Sequence, residues 1–228
     1  GSLPSGLSLS TNGLISGVPA VPGSYVFEIT ATDAAGVATE QVSLLRVLQP
    51  ASPPGLAGWW RAETNTLDSI GTNNGTWVGS AAYAAGKSGQ ALSLNGSSSY
   101  ISVANAPALR PGSVTLEAWV KFNATNGFRA IMTKPIGNGI CDSYILWFDN
   151  GTLNGSTCDS TGGGPNLTYA FNPVPGQWYH AAYTVDGTTL QQTLYVNSVA
   201  VATGVSSRAI GYDTHPMFIG SDNDNTVQ

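Results

Sequence analysis

Gly176-Gln177-Trp178-Tyr179-His180-Ala181-Ala182-Tyr183-Thr184-Val185-Asp186-Gly187 is the stretch that decides the fold. Asn172-Pro-Val-Pro-Gly176 stops whatever precedes it, because proline fixes φ and lacks an N–H while glycine permits positive φ. Asp186-Gly187 then turns the chain. In an extended segment, Trp178, His180, Ala182 and Thr184 share one face, and Tyr179, Ala181, Tyr183 and Val185 the other. The next apolar run, Leu190 to Val201, alternates in the same way and carries its own turn at Asn197-Ser198. The pattern predicts an antiparallel meander of three strands.

The composition suits that reading. In a chain of 228 residues only 9% are charged, against about 25% in an average soluble domain. With 42% hydrophobic residues and six Trp, charged disorder is excluded. The 28 Gly and 13 Pro, with many Ser, Thr and Asn, fit short strands joined by tight turns. Net charge is −5, and the eight Lys+Arg are scattered, which argues against nucleic acid or an anionic membrane as partner. No apolar run approaches the roughly 20 residues of a membrane span. No signal peptide opens the chain, and the sequence reads as cut at both ends.

Asn150-Gly151, set between Tyr144-Ile-Leu-Trp-Phe-Asp149 and Thr152-Leu-Asn154, is a strong hairpin signal. Centring the turn there pairs Phe148 with Leu153 and Tyr144 with Thr157, and brings Cys158 close to Cys141. A disulfide is the favoured reading and implies an oxidising compartment. Two buried free thiols are the alternative.

Taken in order, residues 1–48 form one unit, with an alternating hairpin through Ser24–Ala31, a turn at Asp33-Ala-Ala-Gly36 and a return from Ala38 to Val47. The run Leu3-Pro-Ser-Gly-Leu-Ser-Leu9, Gly13-Leu-Ile-Ser-Gly-Val-Pro19, Gly23-Ser-Tyr-Val-Phe27 and Ala31-Thr-Asp-Ala-Ala-Gly36 resembles immunoglobulin-like repeats of bacterial surface proteins. It corresponds to the C-terminal part of such a sandwich. Residues 49–55 read as a Pro-rich linker, extended and stiff. Residues 56–228 read as a larger all-β domain, with strands at Leu56–Glu63, Gly89–Leu94, Tyr100–Val103, a long central Ser113–Phe122 and Met217–Gly220. No amphipathic helix of about 10 residues or more is found, so the pattern is that of a sandwich or jelly roll.

Eight ordered segments carry a second resemblance: Gly58-Trp-Trp-Arg-Ala-Glu63, Asp68-Ser-Ile-Gly-Thr-Asn-Asn-Gly-Thr76, Ala91-Leu-Ser-Leu-Asn-Gly96, Tyr100-Ile-Ser-Val103, Val114-Thr-Leu-Glu-Ala-Trp-Val-Lys121, Gly176-Gln-Trp-Tyr-His-Ala-Ala182, Leu194-Tyr-Val-Asn197 and Phe218-Ile-Gly220. Together they resemble the laminin-G-like, concanavalin A-like lectin/glucanase jelly roll. The resemblance implies an extracellular or cell-surface bacterial domain, frequent Ca²⁺ binding, and glycan binding or adhesion. The family's last strand, carrying an Asp-Glu-Val-type segment, is missing here. Trp59-Trp60 is therefore expected beside an unpaired edge.

Asp68, Asn73 and Asn74 are the candidate Ca²⁺ ligands, since calcium takes carboxylate, amide and carbonyl oxygens. Asp68 and Asn73 occupy positions that the resemblance links to a metal site; a self-satisfied turn is the alternative. Asp222-Asn-Asp-Asn225 lacks the glycine and closing glutamate of a calcium loop and reads as a turn or tail. Two His and two Cys do not make zinc spacing. His180 reads as packed and hydrogen-bonded.

Glycoside hydrolysis needs a pair of carboxylates, whereas Glu117 stands alone on its strand, so the chain is not expected to be an enzyme. Sugar binding uses aromatic faces with fixed polar groups, for which the candidates are Trp147, Phe128, Asp142, Tyr169 and Asn166. Trp147 reads either as core or as projecting onto a concave sheet surface, while Trp59, Trp119 and Trp178 read as core. The expected function is non-catalytic carbohydrate binding or adhesion, with a glycan or an extracellular protein as partner. A purely structural or protein-adhesion domain, and an accessory module of a glycoside hydrolase, are the alternatives.

Overall fold

The computed structural model describes residues 1–19, 21–48, 54–137 and 141–222. Most of the Pro-rich linker, the middle of the 135–142 loop and Asn223–Asn225 lie outside the described residues. The chain divides into two compact units, Gly1–Leu56 and Ala57–Gln228.

The first unit holds two antiparallel hairpins. The short one pairs β1 (Leu7–Leu9) with β2 (Ile15–Gly17). The long one pairs β3 (Gly23–Thr32) with β4 (Ala38–Val47) without a register break. Its turn is the predicted one: Asp33 Oδ1 accepts from the N–H groups of Ala35 and Val37, both at 2.9 Å. Phe27 is buried, while Val26, Val42 and Leu44 share the opposite face and are exposed.

The second unit contains β5 (Gly75–Val78), β6 (Tyr83–Ala85), β7 (Gln90–Leu92), β8 (Tyr100–Val103), β9 (Val114–Lys121), β10 (Phe128–Ile136), β11 (Cys141–Asp149), β12 (Thr152–Asp159), β13 (Gly162–Gly163), β14 (Leu167–Ala170), β15 (Trp178–Val185), β16 (Gln191–Val196), β17 (Val199–Val205) and β18 (Met217–Ile219). The larger sheet runs β13-β12-β11-β10-β18-β8-β5, with β14 also pairing along β12; the smaller runs β17-β16-β15-β9. β6 and β7 form a separate hairpin. Among the described residues the one helical element is a single 3₁₀ turn, Pro107–Leu109.

Alternation explains the core. Ile101, Val103, Tyr144, Leu146, Phe148, Leu153 and Met217 from the larger sheet meet Leu116, Tyr179, Ala181, Tyr183, Val185 and Leu194 from the smaller. The Tyr183 ring of β15 packs onto the bare backbone of β12 at Gly155, where a Cβ would lie 2.2 Å from the ring.

The predicted hairpin is found as read. Phe148 opposes Leu153 and Tyr144 opposes Thr157, the turn residues Asn150 and Gly151 have φ of 41° and 87°, and Cys141 and Cys158 form a disulfide with Cα atoms 5.9 Å apart. The meander is also found, with Asn197 and Ser198 at φ of 50° and 68°.

Several expectations fail. β9 is an edge strand, not a central one. Leu56–Glu63 is not a strand: it makes one bridge, Trp60 to Asp68. There Trp60 packs against the core, whereas Trp59 is only half-buried, under the Arg61 guanidinium. Gly89–Leu94 reaches only the minor hairpin. Trp119, read as core, is 48% exposed, and Trp178 shares its face. Alternation defines two faces but does not say which is inside. Here the Tyr179, Ala181, Tyr183 and Val185 face is the one that packs.

Candidate functional site

The Asp68 loop is a self-satisfied turn. Asp68 Oδ1 accepts from the N–H groups of Trp59 (3.0 Å) and Ile70 (3.2 Å), and Oδ2 from that of Asn73 (3.2 Å). Asn74 Oδ1 accepts from the Asp68 N–H, Asn73 Nδ2 donates to the Ala57 carbonyl, and Trp60 Nε1 donates to the Asn73 carbonyl. Three N–H dipoles aimed at one carboxylate make a cradle for negative charge, not a cation site. Both Asp68 oxygens and Asn74 Oδ1 thus accept backbone N–H groups within the turn. Among the described residues no cluster of three or more His, Cys, Asp or Glu is placed to hold a metal. The loop is held as a turn by its own hydrogen bonds, the alternative reading of these residues.

Phe128 and Trp147 come together. Leu146 and Phe148 enter the core, so Trp147 points to the outer face of the larger sheet. A row runs across that face through Ala130, Trp147, Asn154 and Thr168, each opposite the next. Phe128 sits one step along β10, opposite Asp149. Its ring centroid is 6.4 Å from that of Trp147, with the planes 32° apart. Asn154 Nδ2 is held by the Thr152 carbonyl and hydroxyl. At the turn end, a shallow hollow of about 240 Å³ is lined by Thr125, Asn126, Asn150 and Asn172, among others.

The other sugar candidates separate. Tyr169 opposes Leu153 and packs on the core side, away from Trp147. Asp142 is buried at the far end of β11, about 16 Å from Trp147 at strand rise. Asn166 is exposed just ahead of β14, two residues from Thr168.

A second aromatic face lies on the smaller sheet and was missed by the core reading of its tryptophans. Trp119 opposes His180 and Trp178 opposes Lys121. The Trp119 and His180 rings are 5.4 Å apart, and His180 Nε2 lies 3.6 Å from Glu117 Oε2. His180 packs on Trp119, but among the described residues its buried Nδ1 has no hydrogen-bond partner, so only the packing follows the expectation. Lys87 Nζ stands 4.9 Å from the centroid of Trp119, and Lys121 Nζ stands 5.0 Å from that of Trp178. Lys121, two residues after Trp119 and so on the same strand face, was the available signal that this face is wet.

Lys134 is fully buried, its Nζ donating to Asn105 Oδ1 (3.0 Å) and the His215 carbonyl (2.6 Å). Burial pushes this amine below its usual range, and the Asp213 charge opposes the shift. Its two bonds tie loops to β10.

Comparisons with known proteins agree with this architecture. One solved structure with a similar fold is domain 4 of AbnA, a GH43 extracellular arabinanase from Geobacillus stearothermophilus, in complex with arabinotriose. It is 22% identical at a TM-score of 0.53, over 69% of this chain and 78% of that one. Another is the botulinum neurotoxin serotype D binding domain, 16% identical at a TM-score of 0.53, over 71% of this chain and 41% of that one. This chain therefore spans well under half of the toxin chain. No curated protein sequence matches. The He_PIG model, an Ig domain, matches residues 1–47, in keeping with the hairpins of the first unit. Residues 95–228, which supply most of both sheets, match the Laminin_G_3 model, and on this match the chain belongs to the concanavalin A-like lectin/glucanases superfamily.

Proposed function

We propose that the second unit is a non-catalytic glycan-binding module of a secreted or cell-surface bacterial protein, and that it reads sugar on the outer face of the larger sheet. The observation carrying the reading is the Phe128–Trp147 pair. Two neighbouring rings on a sheet, inclined 32° to each other, offer apolar surface of the kind that stacks on the C–H face of a pyranose or furanose ring. Thr168 and Asp149 border it with a hydroxyl and a carboxylate, Asn154 between Trp147 and Thr168 is buried with its amide held by Thr152, and the asparagine-lined hollow extends the polar rim. The arabinotriose complex of AbnA domain 4 supports a glycan as ligand for this fold. Strand rigidity fixes the platform before the ligand arrives, so little ordering entropy is lost on binding.

The test is a glycan array probed with the whole chain and with Trp147→Ala and Phe128→Ala, each checked for native circular dichroism. Binding of a neutral oligosaccharide that weakens about tenfold or more in either variant is expected. EDTA should leave it unchanged. A folded chain that retains no glycan, or one whose binding ignores both substitutions, overturns the reading.

A further inference from the structure

The outer face of the smaller sheet has different chemistry. Trp119 and Trp178 are diagonal neighbours on β9 and β15, since Trp119 opposes His180 and Trp178 lies two residues before it. Such positions are about 7–8 Å apart. Along the same face Glu117, Ala182 and Tyr195 form the next row but one from Lys121 and Trp178. Beyond it Thr115, Thr184, Thr193 and Thr203 oppose one another across all four strands. The face therefore grades from indole rings to a line of hydroxyls.

Its charge is also distinctive. The chain has three lysines, Lys87, Lys121 and Lys134. Lys134 is buried. The other two are exposed, and each holds its ammonium over one of these two tryptophans. In a chain of net charge −5, both exposed lysines stand on the two rings of one face, and even with Glu117 beside His180 on that face the spot is locally cationic. An exposed cation–π contact is worth only about 0.5–1 kcal/mol, so either ammonium can swing to a stronger anionic partner at little cost.

We infer that this face is a second binding surface, and that it takes an acidic polysaccharide built from uronic acid residues. Such a polymer offers, on each ring, a C–H face for an indole and a carboxylate for an adjacent ammonium, with hydroxyls for the threonine row. A neutral glycan leaves the lysines unused. A sheet face that was merely solvated has no use for two large rings at this spacing.

Polygalacturonate and a neutral galactan of similar length serve as probes, titrated into the full chain by calorimetry at low and high salt. Polygalacturonate is expected to bind, with affinity that falls as salt rises, and galactan to bind this face at least about tenfold more weakly. Trp119→Ala is expected to weaken polygalacturonate about tenfold or more and Trp119→Tyr less, which separates lost stacking from lost folding. Lys87→Gln with Lys121→Gln should remove the salt dependence. Arg208→Gln, a cation on another part of the unit, should change nothing. No binding of polygalacturonate by the folded chain overturns the inference, as does binding that survives both Trp119→Ala and the lysine pair. Because neutral oligosaccharides are read separately against Trp147→Ala, either surface can fail without the other.

Discussion

Gly155 lies directly beneath the ring of Tyr183. A Cβ at Gly155 would stand 2.2 Å from Tyr183 Cδ2 and 2.5 Å from Cγ, and the ring cannot retreat. Tyr183 is fully buried, and its hydroxyl donates to Gln192 Oε1 at 2.6 Å. The absence of one side chain thus sets how closely β12 approaches β15.

Gly155→Ala is expected to destabilise the second unit by about 3 kcal/mol, the upper range for overpacking a filled core. Urea unfolding followed by tryptophan fluorescence measures it. An unchanged midpoint means that the sheets can separate freely at this point.

The Cys141–Cys158 bridge closes a loop of sequence separation 17 around the β11–β12 hairpin. Replacing both cysteines by serine is expected to cost about 3 kcal/mol, from the greater freedom of the unfolded chain. The same loss should follow a reducing agent and be recovered on reoxidation. Thermal melts with and without reductant check this.

Alkaline stability follows from three tyrosines. Burial pushes the hydroxyls of Tyr144, Tyr183 and Tyr212 above their ordinary value of 10.0, with Tyr212 adding to the effect on Tyr144 and a Thr157 contact opposing it on Tyr183. Their protons are held by the Leu109 carbonyl, Gln192 and the Pro111 carbonyl. Above pH 10 the unfolded chain releases these protons while the folded chain keeps them. The unfolded state then binds fewer protons, and stability falls as pH rises. The melting temperature should drop steeply above pH 10, with part of the tyrosinate absorbance appearing only as the protein unfolds. Full tyrosinate absorbance in the native state would contradict this.

Asp68→Ala leaves the N–H groups of Trp59, Ile70 and Asn73 without their shared acceptor. A loss of roughly 3 kcal/mol is expected for unpairing them in a half-buried turn. Added calcium should not shift the wild-type melt, because a ligand stabilises only the state it binds. A calcium-dependent rise in the wild-type melting temperature that is absent from Asp68→Ala would restore the metal reading.

The sequence showed most clearly where local chemistry forces geometry. Asn150-Gly151 demands a tight turn, and from it follow the Phe148–Leu153 pair and the nearness of Cys141 to Cys158. The meander followed from Asp186-Gly187 and Asn197-Ser198 in the same way. Sidedness was harder to read. Trp119 and Trp178 alternate as core residues do, but the opposite face, with Tyr179, Ala181 and Tyr183, has the shape that fits beneath Gly155 and the rest of β12. Long-range pairing was not readable either. Nothing local tells that Tyr169 falls opposite Leu153 and so faces inward, leaving Phe128 to share the outer face with Trp147. Residue type alone marked Asp68, Asn73 and Asn74 as oxygen donors. Whether they meet a cation or their own backbone depends on how the chain turns, which residue type alone does not specify.

The placement of β18 has a consequence for how the domain is made. Only three residues long, it follows every other described strand in the sequence, yet it sits mid-sheet between β8 and β10. Until Met217–Ile219 leaves the ribosome, the larger sheet is two unjoined pieces, each with a bare edge. The strands on either side of that gap are therefore synthesised well before the segment that joins them. Until that segment arrives, the bare edges of β8 and β10 are the kind of unpaired strand that invites pairing with a neighbouring chain.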